Sequence, residues 1–257
     1  KEAARLLAKA EKERFFRLDP QPPPENNDSP LTFNRADGEH KEILKWIRRT
    51  NRPVVYVTGQ SGTGKSSLMS AYVVPALNRG TVAPADQQNE QVTAVMVRAF
   101  GDLDATLRDE LGKPGVLWQE PPDLSDLKAR EVLERVAKRL EDQKRRLVLV
   151  FDQFEEVIVG ETPEQQAAVP AVALVKSLCE RRIERITCVL IARAEYGDAF
   201  RSLGLPQRIE GDTWQNVRAF SVGEAAAVLL DGLTKIRSKN PDNATTAAAL
   251  ARQAEAL

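Results

Sequence analysis

The sequence predicts an α/β domain with a parallel five-stranded sheet sandwiched by helices. Three observations carry this. Four runs, 53–59 (PVVYVTG), 91–100 (QVTAVMVRAF), 146–156 (RLVLVFDQFEE) and 186–196 (ITCVLIARAEY), are apolar almost throughout rather than alternating. That is how strands covered on both faces read. Stretches of helical periodicity separate these runs, as in successive strand–helix–strand units. The first run also breaks into glycines at its carboxyl end, where a ligand or another backbone must come close.

The elements follow in order. Residues 2–18 (EAARLLAKAEKERFFRL) read as a helix rich in Ala, Leu and charge, and 19–30 (DPQPPPENNDSP) as a proline-rich linker. A helix opens near Gly38 and leads into the first strand. The helix over 65–80 contains Pro75, which predicts a kink or an early end there. A short helix is expected over 102–112, a long amphipathic one over 123–145 and a helical stretch over 163–185. The segment 216–220 (NVRAF) is the candidate fifth strand. Residues 221–237 and 242–257 read as helical, and no internal repeat is present. The resulting division is 1–30 for helix and linker, 31–220 for the α/β core, and 221–257 for the start of a helical lid.

Composition narrows the classes. The 257 residues are 42% hydrophobic and 29% charged, which suits a globular protein with a sizeable core. Basic and acidic residues balance at 37 each, against a dedicated nucleic-acid or membrane-surface binder. The two cysteines, Cys179 and Cys188, lack metal-ligand spacing and read as buried, inert thiols, so a reducing cytoplasmic location is expected. His40 is the only histidine, which disfavours a catalytic triad or a histidine metal site. No run approaches a membrane span. The chain starts at Lys1 rather than at a methionine, so a fragment is expected.

The chemistry concentrates after the first strand. Gly59-Gln60-Ser61-Gly62-Thr63-Gly64-Lys65-Ser66 fits G-x-x-x-x-G-K-[ST] between a strand and a helix. Main-chain N–H groups of such a loop wrap phosphates, and the following helix start adds partial positive charge. Lys65 supplies a mobile cation for the β- and γ-phosphates, and the Ser66 hydroxyl is a magnesium ligand, with Ser67 adjoining. ATP and Mg2+ are the implied cofactors. The third strand ends in Asp152, a Walker B arrangement that holds magnesium beside the phosphate loop. Glu155 and Glu156 lie just beyond, where either could polarise the attacking water; Gln153 holds the position right after the aspartate. Arg193 ends the fourth strand, where it either senses the γ-phosphate or pairs with Glu195 or Asp198. Phe33, Asn34 and Arg35 precede the first core helix, and two readings stand level: an adenine-contacting loop, or ordinary packing with a solvated arginine. Leu44 and Trp46 read as core, while Trp118 and Trp214 carry no assignable role.

Taken together, GQSGTGKSSLMSAYVVPAL, LVLVFDQFEEV and VLIARAEY resemble the STAND class of signalling NTPases, in the bacterial branch called novel STAND that is related to NACHT and apoptotic ATPases. FNRADGEHKEI is similar to the adenine-side F-x-G-R-E segment of that class and departs from it at Asn34-Arg35-Ala36. The resemblance covers about 31–235. It implies phosphate and magnesium binding by Lys65 and Ser66, a magnesium aspartate at Asp152, an acidic pair at Glu155 and Glu156, and a sensor arginine at Arg193. It further implies an ATPase of slow turnover whose ATP or ADP state controls self-association, with effector and sensor domains in a longer chain. The resemblance also implies a setting in bacterial anti-phage defence, in which members are often implicated. The alternatives are a nucleotide-binding scaffold that does not hydrolyse, and a P-loop kinase or motor ATPase, which would need an acceptor site or a basic channel.

Overall fold

A computed structural model describes residues 35, 37–80, 91–98, 101–114, 117–120, 122–157 and 162–219. The expected N-terminal helix and linker, Phe33, Asn34 and the two terminal helical segments lie outside the described residues.

The described elements run α1 (Glu39–Arg49), β1 (Val54–Gly59), α2 (Lys65–Leu68), a π turn (Met69–Val73), α3 (Val74–Arg79), β2 (Gln91–Arg98), α4 (Leu103–Gly112), α5 (Ala129–Asp142) and β3 (Arg145–Asp152). A short 3-10 turn (Phe154–Val157) follows, then α6 (Pro163–Ala168), α7 (Pro170–Glu180), β4 (Ile186–Arg193), α8 (Gly197–Ser202) and β5 (Trp214–Asn216). The sheet has the order β2-β3-β4-β1-β5, and each of its strand pairs is parallel.

Val54, Val55, Tyr56 and Val57 are all buried, as the unbroken apolar run requires of a strand covered on both faces. Side chains of one pleat face pack with α4, α5 and α7; those of the other pack with α1 and the α2–α3 helix. Burial of each large aliphatic side chain contributes about 1.5–3 kcal/mol, so these two apolar layers are the main attraction that holds the sheet between its helices.

Four sequence expectations change in detail. The helix after β1 does not end at Pro75: a π turn over Met69–Val73 precedes the proline, and α3 continues to Arg79. Proline lacks the N–H that a regular turn would use and crowds the preceding carbonyls, and the wider turn gives it room. The helix expected from 123 starts at Ala129 instead. The Asp123 carboxylate accepts from the N–H and hydroxyl of Ser125, fixing a turn, and the Lys128 N–H donates to Glu131 Oε2 at 2.8 Å. The stretch over 163–185 is two helices that break at Val169, because the residue before Pro170 is steered out of the helical region. The fifth strand is Trp214–Asn216, two residues earlier than expected. Of the expected 216–220 segment, Val217 lies beyond the strand and donates its N–H to the Thr58 carbonyl at 2.6 Å.

Candidate functional site

Parallel pairing fixes which residues meet at the carboxyl edge of the sheet. Gly59 and Arg193 are register partners on β1 and β4. Asp152 ends β3, the other neighbour of β4. Three segments far apart in sequence therefore deliver the loop, the aspartate and the arginine to one place.

The loop glycines serve two different needs. A Cβ on Gly59 would lie 2.4 Å from the Val217 carbonyl oxygen, so the backbone beyond β5 passes too close for any side chain. Gly62 and Gly64 both have φ +80°, and an added Cβ at either meets no protein atom within 4 Å. Those two are required by the left-handed backbone rather than by space. The Thr63 hydroxyl donates to the Gln60 carbonyl at 3.0 Å and closes the turn between them. Gln60 and Ser61 are exposed, while Gly64, Ser66 and Ser67 are half-buried at the opening of the helical run from Lys65 to Arg79.

Lys65 folds over the loop and donates to the Gly59 carbonyl at 2.9 Å and the Gln60 carbonyl at 2.8 Å. Burial pulls its ammonium below the ordinary value, and the carboxylates of Glu155, Glu195 and Asp152 act the other way. The Ser66 hydroxyl donates to Asp152 Oδ1 at 2.8 Å, and the same oxygen accepts the Gln153 N–H at 3.0 Å. Gln153 needs a left-handed φ of 53° to make that contact. Burial raises the Asp152 pKa, against the lowering effect of the Ser66 hydroxyl.

The acidic pair divides. Glu155 is buried; its Oε1 stands 3.3 Å from Arg193 Nε, and its Oε2 is buried with no hydrogen-bond partner among the described residues. Burial raises its pKa, opposed by the charges of Lys65 and Arg193. Glu156 is exposed, and its N–H caps the Gln153 carbonyl at 2.9 Å. Arg193, half-exposed, pairs with Glu155 rather than with Glu195 or Asp198 among the described residues.

Arg35 is fully buried, not solvated. Its guanidinium donates to the Thr63 carbonyl at 3.1 Å, to the Arg218 carbonyl at 3.0 Å and to both Asp37 oxygens, and pairs with Glu39 at 3.0 Å. The loop that precedes α1 is thus bound to the phosphate-type loop and to the chain leaving β5. Sequence reasoning did not mark Glu39, Val217 or Arg218 for this assembly. The contacts join positions as many as 183 apart, and no local pattern carries them. Leu44 is core as expected, whereas Trp46 is half-buried and donates to the Gly211 carbonyl at 2.9 Å. Trp118 Nε1 donates to the Leu111 carbonyl at 2.9 Å, and Trp214 Nε1 to Thr58 Oγ1 at 2.6 Å. Cys188 is buried and Cys179 half-buried, and both are free thiols.

The donor set fits magnesium held together with a phosphate. Ser66 and Asp152 offer hard oxygen ligands side by side, and among the described residues no cluster of three or more His, Cys, Asp or Glu forms a self-sufficient metal cage. Magnesium characteristically takes one or two protein oxygens and completes its shell with phosphate and water. The orphaned Oε2 of Glu155 is a further acceptor buried close to Lys65 and Arg193.

A glycine loop with a helical lysine and serine, an aspartate at the end of the neighbouring buried strand and this sheet order define the chain as a P-loop NTPase. Its sequence matches the model of the Novel STAND NTPase 1 family over residues 25–243, and the chain belongs to that family. Among solved structures it is similar to the Aeropyrum pernix ORC2 protein in its ADPNP–ADP complexes, with TM-score 0.58 and 16% identity over 86% of this chain and 55% of that one. It is also similar to a Walker-type ATPase of Pyrococcus abyssi, with TM-score 0.53 and 16% identity over 87% of this chain and 63% of that one. Drosophila ORC bound to DNA matches with TM-score 0.51 and 16% identity over 77% of this chain and 47% of that one. At such identities these likenesses speak to the fold. The chain spans between 47% and 63% of the length of these three structures. No curated protein matches the sequence. Among the described residues no helix is long and apolar enough to cross a membrane.

Proposed function

We propose that the chain is the nucleotide-binding core of a signalling switch that holds ATP with magnesium, hydrolyses it slowly and changes its self-association with nucleotide state. The observation that carries this reading is the convergence of Lys65, Ser66, Asp152, Glu155 and Arg193 at one edge of the sheet. In the proposed complex Lys65 exchanges its loop carbonyls for the β- and γ-phosphates, and Ser66 and Asp152 hold the metal. That ion offsets phosphate charge in the transition state. Glu155 orients water, and Arg193 leaves Glu155 for the γ-phosphate, so the arginine reads whether that phosphate is present. Asn34 and Arg35 are proposed to border the adenine from the loop before α1, with Arg35 acting through backbone it already fixes. Effector and sensor domains in a longer chain, and a setting in bacterial anti-phage defence, complete the proposal.

A scaffold that binds nucleotide without turnover is the second reading. The structural observation in its favour is that Glu155 is engaged by Arg193 and that Gln153 occupies the position after Asp152. Purified protein incubated with ATP and magnesium tests both. Slow phosphate release, with a change of scattering mass between ATP and ADP, supports the switch. Tight ATP binding with no release over many hours supports the scaffold.

A further inference from the structure

The opposite pole of the sheet, where the strands begin, carries a cleft of about 670 Å³. It reaches from the end of α1 on one face of the sheet to the last turns of α5 on the other, floored by the first residues of β3 and β4. Six of its lining side chains are basic: Arg48, Arg49, Lys138, Arg146, Arg182 and Arg185. Among the described lining residues only Glu141 and Glu184 are acidic, in a chain whose formal charge is zero.

Part of this charge serves the fold. Arg146 is buried and donates to the carbonyls of Ile47, Arg48 and Thr50, closing the C-terminal turn of α1. Arg182 pairs with Glu184 at 3.3 Å. Helix ends at this pole attract cations through their partial negative charge. That demand is local to each last turn, however, and leaves other cations over. The side chains of Arg49 and Lys138 have no hydrogen-bond or ion-pair partner among the described residues and face the cleft from opposite helical layers. Arg48 is half-buried, and burial holds it below the ordinary guanidinium range. Cations gathered around one recess gain more from a shared anion than isolated ones do.

We propose that this cleft is a second anion site that takes a compact oligophosphate, separate from the phosphate loop. Arg49 offers a planar fork that suits phosphate oxygens, Lys138 adds a point charge from the facing helix, and Arg182 adds a second fork at the exposed rim. The volume lies in the range of small-ligand sites. Among the described residues that line the cleft none is aromatic, and the groups that face it are suited to phosphates rather than to a nucleobase.

The test is calorimetry with inorganic tripolyphosphate on chains carrying Lys65→Ala, which weakens binding at the phosphate loop. One molecule should bind per chain, and Arg49→Gln with Lys138→Gln should weaken it about a hundredfold or more, as expected when two charged hydrogen bonds go. Both positions are exposed, and Arg182→Gln from the α7–β4 connection provides an independent variant with the same expected direction. ATP should bind this site no more tightly than tripolyphosphate. The proposal is overturned if the Lys65→Ala chain binds no tripolyphosphate, or if neither set of variants changes the affinity. It is equally overturned if ATP or a single-stranded oligonucleotide binds here more tightly than tripolyphosphate does.

Discussion

Arg35 Nη1 donates to the carbonyl of Thr63 at 3.1 Å across 28 positions of sequence, so a residue ahead of α1 holds the middle of the phosphate loop. The same guanidinium holds the Arg218 carbonyl and the carboxylates of Asp37 and Glu39. Arg35→Ala would take the guanidinium from two largely buried carboxylates and two carbonyls, leaving the carboxylates to Arg218 and the Glu39 N–H. Removing one member of such a buried network costs about 3–5 kcal/mol, and Arg218 beside Asp37 and Glu39 places the loss at the lower end. Urea denaturation checks this. A loss below about 1 kcal/mol, the size of an exposed ion pair, would contradict the central place given to Arg35.

The two glutamates after Asp152 should behave differently. Glu155 is buried beside Lys65 and Arg193, while Glu156 faces solvent. Glu155→Gln is predicted to retain ATP binding and to depress hydrolysis by about 10²–10⁴-fold, the usual range for a lost general base. Glu156→Gln should leave the rate near that of the parent. Phosphate-release assays decide it, and equal rates for the parent and Glu155→Gln would remove Glu155 from the chemistry.

Arg193 is expected to distinguish the two nucleotide states. A ligand shifts an equilibrium only through unequal affinity for its states. Arg193→Ala should therefore weaken ATP binding more than ADP binding, because only ATP offers the phosphate that draws the guanidinium away from Glu155. Competition titrations with both nucleotides measure the two affinities; equal losses would contradict the sensing role.

The strands and the loop were legible because their signals are local. Unbroken apolar runs such as 147–151, and a glycine-lysine-serine sequence between strand and helix, need no tertiary knowledge. Asp152 and Arg193 were legible once the sheet was taken as parallel, since both end strands at one edge. What stayed hidden was long-range. Nothing near Val217 announces that its carbonyl fills the space beside Gly59, and nothing near Arg35 announces Thr63. The choice between Glu155 and Glu156 depended on a 3-10 turn that buries one and exposes the other. Of the two outcomes expected at Pro75, a kink or an early end, the early end does not occur, because a π turn accommodates the proline.

His40, the only histidine, gives the fold a titration of known sign. It is buried against Tyr72, its Nδ1 accepts the Arg35 N–H at 3.4 Å, and burial lowers its pKa from 6.5. With the folded value depressed, the unfolded chain takes up the proton first. The contribution is fully present above the unfolded pKa and is lost as pH falls toward the folded value. The raised pKa values of Asp152 and Glu155 act with the opposite sign, adding stability as pH falls. The His40 contribution should therefore fall as pH drops below about 6.5, and His40→Asn, which keeps an acceptor but does not titrate, should remove that part of the pH dependence. Denaturation midpoints across this range read it out, and an unchanged slope in the variant would assign the dependence elsewhere.

The most direct test of the nucleotide site is calorimetry of ATP with magnesium on the parent and on folded Lys65→Ala. Lys65 now donates to the Gly59 and Gln60 carbonyls, and in the complex its charge would meet the β- and γ-phosphates. A charged hydrogen bond contributes about 1.5–3 kcal/mol, so the variant should bind ATP at least about tenfold more weakly. Ser66→Ala should show a loss that appears only when magnesium is present. Unchanged ATP affinity in a folded Lys65→Ala protein would contradict the assignment of this loop as the nucleotide site.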